Sequence, residues 1–591
     1  MNIEIITKKE KIQNIVPGDY VVSLDVDTGE FTYNEVMNIL RPTVTHDKQV
    51  KVITEDSVEL ITSHFHPMMV LTKDSKLQWV EAGEIEIGES LLNDHGNPSK
   101  VIKIEYGNIQ EDEQFYDLSV RWDNNYLAGN GTLYVSHNSA TINFPFWHHE
   151  IEDIIVLKNN KGSEDNRVRR LDYCIHLSKL FYERVISNEK ITLFSPADVP
   201  ELYEAFGTDN FDQMYIDLEE NRRGIRKIRI KARDLMMNLI KERIETGRIY
   251  IMNIDHVNTH SSFIDKINMT NLCTEITLPT KPLTNIDDEN AEIALCILSA
   301  TNIGLIKNTD ELEEIAELQV RALDELIDFQ DYPVKAAENS AKTRRSLGIG
   351  IIGLAHFLAK NKMKYDDPAA PELVHELLES FQYYLIKASV KLAREKGPCE
   401  QFAMTKYSQG ILPIDTYKSS VDNIVSKSYK HDWSALRDDI KKYGMRNSAL
   451  SAQMPSESSS VVSNATNGIE PPRNALSIKK SKQGTLKQIV PDYEKYKNYY
   501  SYAWELESNN GYLNITAIIQ KFMDQAISIN QYYDYTKFEN GELPLSIVLK
   551  DILYAYKIGT KTLYYLNTND GKGEVESGED TNTCDSGACA I

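Results

Sequence analysis

The feature that most constrains this chain is a break in texture that falls at His137-Asn138-Ser139. Before it, short apolar runs (YVVSLDV, VKVITED, HPMMVL, SKVIKIEY, TLYVSH) alternate with the turn signals GDY, DTGE, DHGNP and GNG. That pattern predicts a β-rich domain of short strands. From about residue 150, long helical patterns alternate with brief apolar runs, and residues 371–396 repeat apolar side chains near 3.6-residue spacing until Gly397-Pro398. No single periodicity spans both parts, so two unlike domains are expected. The tripeptide at the break has chemistry of its own. The Asn138 side-chain amide can attack its own backbone carbonyl, forming a succinimide and cutting the chain before Ser139. His137 is placed to protonate the leaving amide, and the Ser139 hydroxyl can accept a migrating acyl group.

Charge and cysteine usage narrow the classes. The chain has 65 basic against 88 acidic residues, net −23, which argues against general nucleic-acid or membrane-surface binding. No apolar run is long enough to span a bilayer, and MNIEIITKKEK does not read as a signal peptide. The six cysteines (174, 273, 296, 399, 584, 589) are too few for a disulfide scaffold. They fit a reducing cytoplasm, where paired cysteines serve redox chemistry.

The first part resembles the Hint domain of inteins. VPGDYVVSLDVDTGE is similar to the second strand and turn of that fold, and FYDLSVRWDNNYLAGNGTLYVSHNS to its C-terminal splice junction. SHFHP at 63–67 is similar to the Thr-x-x-His block that activates the upstream scissile peptide, with Ser63 where Thr is usual and His66 as the activating histidine. Asp117 matches the acidic residue that organises both splice sites. Asn124 stands where many inteins carry another histidine, which shifts proton transfer toward His137. The blocks lie too close together for a homing endonuclease, and YLAG is not an endonuclease motif. Inteins open with Cys or Ser, whereas this chain opens with Met1 and has no cysteine before 174. The resemblance therefore implies a C-terminal intein fragment over 1–138 whose N-terminal piece is made on another chain. A dead remnant and a truncated sequence are the alternatives.

In the second part, TNLCTEITLPTKPL read as a strand would project Asn271, Cys273 and Glu275 from one face. A thiol between an amide and a carboxylate suits radical or acid–base chemistry, although a buried Cys is commonly a small hydrophobe. The adjacent phenols Tyr564 and Tyr565 are either packing aromatics or a path for an electron and proton. Cys584-x4-Cys589 ends an acidic, apolar-poor tail over 569–591. Two thiols on a tether suit thiol–disulfide exchange, and a metal would need more ligands than the tail offers. MPSESSSVVSNATNGIEPPR gathers hydroxyls and N–H groups before a helix start, a phosphate cradle. GIGIIG at 348–353 fits G-x-G-x-x-G but follows a helical segment rather than a strand, so it is read as barrel backbone. NRRGIRKIRIKARD is read as a solvated helix face.

These segments, with SATINFPFWHHEIEDIIVLKNN, ITLFSPADVPELYEAF, TGRIYIMNIDHVNTHS, LKDILYAYKIGTKTLYYLNT and CDSGACAI, resemble the C-terminal three-fifths of the catalytic large subunit of class Ia ribonucleotide reductases. The resemblance implies a multidomain chain: an all-β Hint domain, then an α/β ten-stranded barrel with many helices over 139–568, with Cys273 on a central finger loop, then the tail. It implies that Cys273 is the thiyl site, Glu275 the base on the ribose 3′-hydroxyl, and Asn271 a ligand of the substrate hydroxyls. Cys296 would be one of two reducing cysteines, and Tyr564 and Tyr565 the radical relay. Ser456, Glu457, Ser458 and Ser459 would hold the substrate diphosphate, and Cys584 and Cys589 would re-reduce the active-site disulfide. Cys174 and Cys399 match no role. No cofactor or metal is expected on this chain. The radical would come from a metal–tyrosyl (diiron) small subunit, and electrons from thioredoxin or glutaredoxin. Nucleotide effectors (ATP, dNTPs) would act through the part of the family not spanned here, in a dimer of mature large subunits. A glycyl-radical or cobalamin-dependent relative is the enzyme alternative; the tyrosine pair and the tail oppose it, and no RVxGY-like segment is present. An inactive or regulatory fragment with a non-splicing intein remnant is the non-enzyme alternative.

Overall fold

The computed structural model describes residues 140–569 except 160, 162–166, 170, 222–223, 286–287, 333, 427 and 482–483. Before that it describes 20–24, 31–40, 48–55, 59–63, 67–73, 77–92, 98–108, 117–120, 127–128 and 134–135. Of the expected splicing residues, His66, His137, Asn138 and Ser139 lie outside the described residues, as do Asn124 and the tail cysteines Cys584 and Cys589. The chain divides into two compact units, one of residues 1–140 with 331–334 and one of residues 141–330 with 335–591.

The first unit is built of the strands the alternating pattern predicts: β1 (Tyr20–Leu24), β2 (Phe31–Leu40), β3 (Lys48–Thr54), β4 (Glu59–Ser63), β5 (Pro67–Leu71), β6 (Leu77–Glu81), β7 (Ser90–Leu92), β8 (Pro98–Asn108), β9 (Asp117–Val120), β10 (Leu127–Ala128) and β11 (Tyr134–Val135). Six of them form one sheet in the order β4-β3-β8-β7-β5-β6, and β1-β2-β9 form another. Period-2 alternation sends Val50, Val52 and Thr54 inward from β3, where the two valines join Met68, Val70, Leu91 and Val101 in a common core. Ser63 ends β4 and Asp117 begins β9.

The second unit carries parallel strands β12 (Thr141–Pro145), β13 (Asp172–Leu177) and β16 (Ile249–Asn253), with β14 (Lys190–Leu193) and β15 (Ile228–Lys231) forming a separate antiparallel pair between them in sequence. IRIK is thus a strand, not the helix face its charge pattern suggests: its isoleucines alternate with exposed cations. Beyond these come β17 (Ile297–Asn302), β18 (Leu347–Ile352), a hairpin of β19 (Leu476–Ser481) and β20 (Gly484–Ile489), then β21 (Gln531–Asp534), β22 (Thr562–Leu563) and β23 (Leu566–Asn569). β22 pairs antiparallel with β16. The run continues through short sets of backbone bonds, among them Tyr564 N–H to the Ile529 carbonyl (2.8 Å), Gln453 N–H to Ala526 (3.1 Å), and Ile349 N–H to Leu450 (2.8 Å). β18 then pairs in parallel with β17. Every residue of β13, β16 and β18 is buried, as parallel strands covered on both faces require. Among the described residues the paired strands trace an open run from β12 to β17.

The helix Ala370–Lys396 follows the predicted period, burying Leu377, Phe381, Leu385, Ala388 and Leu392, and stops at Gly397 with φ +83°. No helix among the described residues is long and apolar enough to cross a membrane.

Candidate active site

Asn271–Glu275 is a turn, not a strand. The Asn271 side-chain carbonyl accepts the Ile276 N–H (3.0 Å), and the Thr274 N–H bonds to the Asn271 carbonyl (3.2 Å). An Asn side chain that takes a backbone donor competes with strand pairing, and the chain reverses with Thr274 at φ +69°. A β-branched residue in the left-handed region costs roughly 1–3 kcal/mol, strain that persists where surrounding structure holds it. Cys273 and Glu275 are both buried on this turn.

The segment Asp524–Asn530 holds the turn in place. Ala526 N–H bonds to the Glu275 carbonyl (2.9 Å). The Ser528 hydroxyl lies 2.6 Å from the Cys273 carbonyl oxygen and 3.2 Å from Glu275 Oε2. Gln525 accepts the Thr277 N–H (3.2 Å) and turns its amide N–H toward Cys296 Sγ (3.6 Å) and the Leu347 carbonyl (3.0 Å). Cys296 directly precedes β17. Burial pushes its thiol up to about 12, and the Glu275 charge adds to the rise. Gly348 and Gly350 of GIGIIG lie on β18, where a Cβ at 348 would meet Cys296 Sγ at 2.5 Å and one at 350 the Ala452 carbonyl at 2.7 Å. These glycines make room for the site.

Tyr564 follows β22 directly and points its hydroxyl at Cys273 Sγ, 3.5 Å away. The same hydroxyl lies 2.8 Å from that of Tyr565, and the two rings stand 3.8 Å apart at 34°. Tyr564 is fully buried and Tyr565 half-buried, so the pair leads from a more accessible phenol to the buried thiol. Tyr250 of β16 packs 4.7 Å from the Tyr564 ring, and the Arg248 guanidinium lies over Tyr565 at 5.6 Å. Arg243, wholly buried, donates to the carbonyls of Ile249 and Tyr564 (2.7 Å to the latter) and to Gln531 Oε1 (3.2 Å). It thereby ties β16, which bears Tyr250, to the residue that follows β22, Tyr564. Burial lowers it to about 10, so it stays cationic at neutral pH.

Ser456 is the N-cap of the short helix Glu457–Val462 and is buried, whereas Glu457, Ser458 and Ser459 are exposed. The Ser456 side chain does not cap the helix; its hydroxyl reaches the Met454 carbonyl at 3.4 Å. The N-terminal N–H groups of such a helix favour an anion. This corner adjoins the turn through Gln453, which exchanges backbone bonds with Ala526 and Ser528. Nearby, Glu470 accepts from Asn530 (2.7 Å) and Tyr532 (3.1 Å). Burial, and secondarily the Glu457 charge, raise it to about 7.

The structure thus gathers Asn271, Cys273, Glu275, Cys296, Tyr564 and Tyr565, with the Ser456 corner beside them. Cys174 and Cys399 are buried, their thiols pushed up to about 12 by burial. Sequence reasoning missed Gln525, Ser528, Arg243 and Tyr250. The one available signal was the polar series within the apolar KFMDQAISIN.

The profile of the ribonucleotide reductase barrel domain matches residues 137–566, and that of the pretoxin HINT domain matches residues 3–139. The ribonucleoside-diphosphate reductase alpha subunit of Haemophilus influenzae is 54% identical over 462 residues, covering 77% of this chain and 61% of its own length. The ribonucleoside-diphosphate reductase 1 alpha subunit of Escherichia coli K12 is 53% identical over 467 residues with the same coverage. The alpha subunit of phage T4 is 47% identical over 445 residues, covering 74% of this chain and 58% of its own length. The chain therefore spans about three-fifths of the length of the curated relatives it matches.

Proposed function

This chain belongs to the ribonucleotide reductase large-subunit family, with a HINT domain ahead of the barrel domain, and from that premise we propose that it is a splicing precursor of a ribonucleoside-diphosphate reductase. The observation that carries the reading is the unbroken contact from Tyr565 through Tyr564 to the Cys273 thiol. A partner small subunit supplies the oxidising radical. Tyr564, once oxidised through Tyr565, takes the hydrogen atom of the Cys273 S–H, leaving a thiyl radical. The thiyl takes the ribose 3′-hydrogen while Glu275 accepts the 3′-hydroxyl proton, and Asn271 orients the hydroxyls. The 2′-hydroxyl takes a proton from one of the two reducing thiols and departs as water. Cys296 and a second thiol, carried by the part of the family not spanned here, give two electrons and close a disulfide. The 3′-hydrogen then returns from Cys273.

The Ser456–Ser459 corner binds the diphosphate through the helix N–H groups. Cys584 and Cys589 exchange with the new disulfide and are recharged by a thioredoxin or glutaredoxin. Residues 1–138 leave by Asn138 cyclisation, with Ser63 and His66 serving the upstream junction, Asp117 organising both splice sites and Ser139 as the receiving nucleophile. Barrel closure to ten strands, assembly as a dimer, effector response and a cytoplasmic setting belong to the same reading.

The test is deoxyribonucleoside diphosphate formation by the spliced product, completed with the remaining large-subunit segment and supplied with the small subunit. Turnover that is lost in Cys273→Ser supports the reading. A ligated, folded product with no turnover, or one indifferent to Cys273→Ser, would overturn it.

A further inference from the structure

Ser528 stands between the Cys273 backbone carbonyl and the Glu275 carboxylate. Its residue is buried, and its backbone is pinned by the bond from its own N–H to the Gln453 carbonyl (3.0 Å). From there its hydroxyl reaches the Cys273 carbonyl oxygen at 2.6 Å and Glu275 Oε2 at 3.2 Å. A serine hydroxyl has one proton to give and lone pairs to receive. It cannot donate fully to both oxygens, and the shorter distance gives the larger share to the Cys273 carbonyl.

We infer that Ser528 is a positioning residue that couples the proton state of Glu275 to the loop carrying Cys273. While Glu275 is a carboxylate, the Ser528 proton is divided between two acceptors. When Glu275 gains a proton, its new O–H donates to the Ser528 oxygen, and the Ser528 O–H is committed to the Cys273 carbonyl. Two bonds in series replace one divided bond, each polarising the other. No proton is lost or gained at Ser528; the one that Glu275 takes comes from the substrate hydroxyl and later returns. Loading the base therefore tightens the loop on which the thiyl must act. Ala526, Ile527 and Ile529 flank Ser528 with no side-chain donor of their own, so a substitution that deletes the hydroxyl cannot be covered by these neighbours.

This inference rests on the reductase reading above. Its test compares Ser528→Thr with Ser528→Val, which match in shape and differ in the hydroxyl, with Ser528→Ala as a third variant. In the spliced, completed enzyme, Thr keeps kcat within about threefold of the parent, while Val and Ala lose roughly 10- to 100-fold with KM changed less than twofold. Equal kcat for Thr and Val, or a loss confined to KM, overturns the inference. A second readout needs no turnover. In the acidified full chain, the infrared carboxyl band assigned to Glu275 by subtraction of Glu275→Gln shifts upward in Val and Ala but not in Thr. A band identical in all variants overturns the inference. An inactive parent enzyme would instead count against the reductase reading and leave the infrared test standing.

Discussion

Gly348→Ala is a perturbation whose consequence can be worked from atomic positions. The added Cβ would lie 2.5 Å from Cys296 Sγ and 2.6 Å from Leu298 Cδ2, with Ala452 Cβ at 3.5 Å. Two of these are closer than packed atoms tolerate; Leu298 stands opposite Gly348 in the parallel register of β17 with β18, and Cys296 directly precedes β17. β18 is buried along its whole length, so it cannot withdraw toward solvent. Overpacking of this kind costs about 1–3 kcal/mol. Part of that cost arises from the sulfur, so Cys296→Ala should relieve it, leaving a favourable coupling of about 1 kcal/mol between the two substitutions. Urea unfolding of the full chain, held unspliced by Asn138→Ala and followed by circular dichroism, measures the four corners of the cycle. Strict additivity, or an unchanged midpoint for Gly348→Ala, would refute the idea that Gly348 makes room for Cys296. A dinucleotide-binding role for GIGIIG would instead predict lost nucleotide affinity with no coupling to Cys296.

Tyr564→Phe and Tyr565→Phe should each abolish turnover in the completed enzyme while leaving diphosphate affinity within twofold, checked by equilibrium dialysis. Each removes one O–H and little else. Glu470 is raised from 4.5 to about 7 in the folded protein, so the native state holds a proton that the unfolded chain releases. Its contribution is therefore fully present below about pH 4.5 and is lost as pH rises toward 7. Glu470→Gln should gain on the parent over that interval by at most about 3 kcal/mol, read from urea midpoints across the pH range. Arg243→Gln leaves the Ile249 and Tyr564 carbonyls short of their shared donor and should cost roughly 3 kcal/mol. Arg243→Lys should recover less than half of this, because an ammonium cannot span acceptors as the guanidinium fork does.

Much of the architecture was legible because it follows from period and punctuation. VKVITED read as a strand, whose alternation turns out to bury Val50 and Val52, and the helix ending at Gly397 was set by its apolar spacing and by a glycine that accepts φ +83°. The reading of Asn271–Glu275 as a strand failed because periodicity does not register an Asn side chain capturing the Ile276 N–H. IRIK was misjudged because an edge strand with outward cations and a charged helix face share the same composition over four residues. Ser528 and Gln525 were invisible for a different reason. Their partners Glu275 and Cys296 lie 253 and 229 residues away in sequence, and a lone hydroxyl or amide in an apolar run carries no local signature. The tyrosine pair and the cysteine turn stood out through family resemblance, whereas their 3.5 Å contact emerges only once β22 is laid beside the segment 527–531.

On the proposed function, departure of residues 1–138 turns a silent chain into a reductase. The most direct measurement mixes this chain with the upstream segment and the small subunit, and follows intact mass and deoxyribonucleoside diphosphate together through time. Turnover should rise in proportion to a ligated species carrying residues 139–591, while a fragment of residues 1–138 ending in succinimide accumulates. Turnover from the uncut chain, or full ligation without turnover, would contradict it.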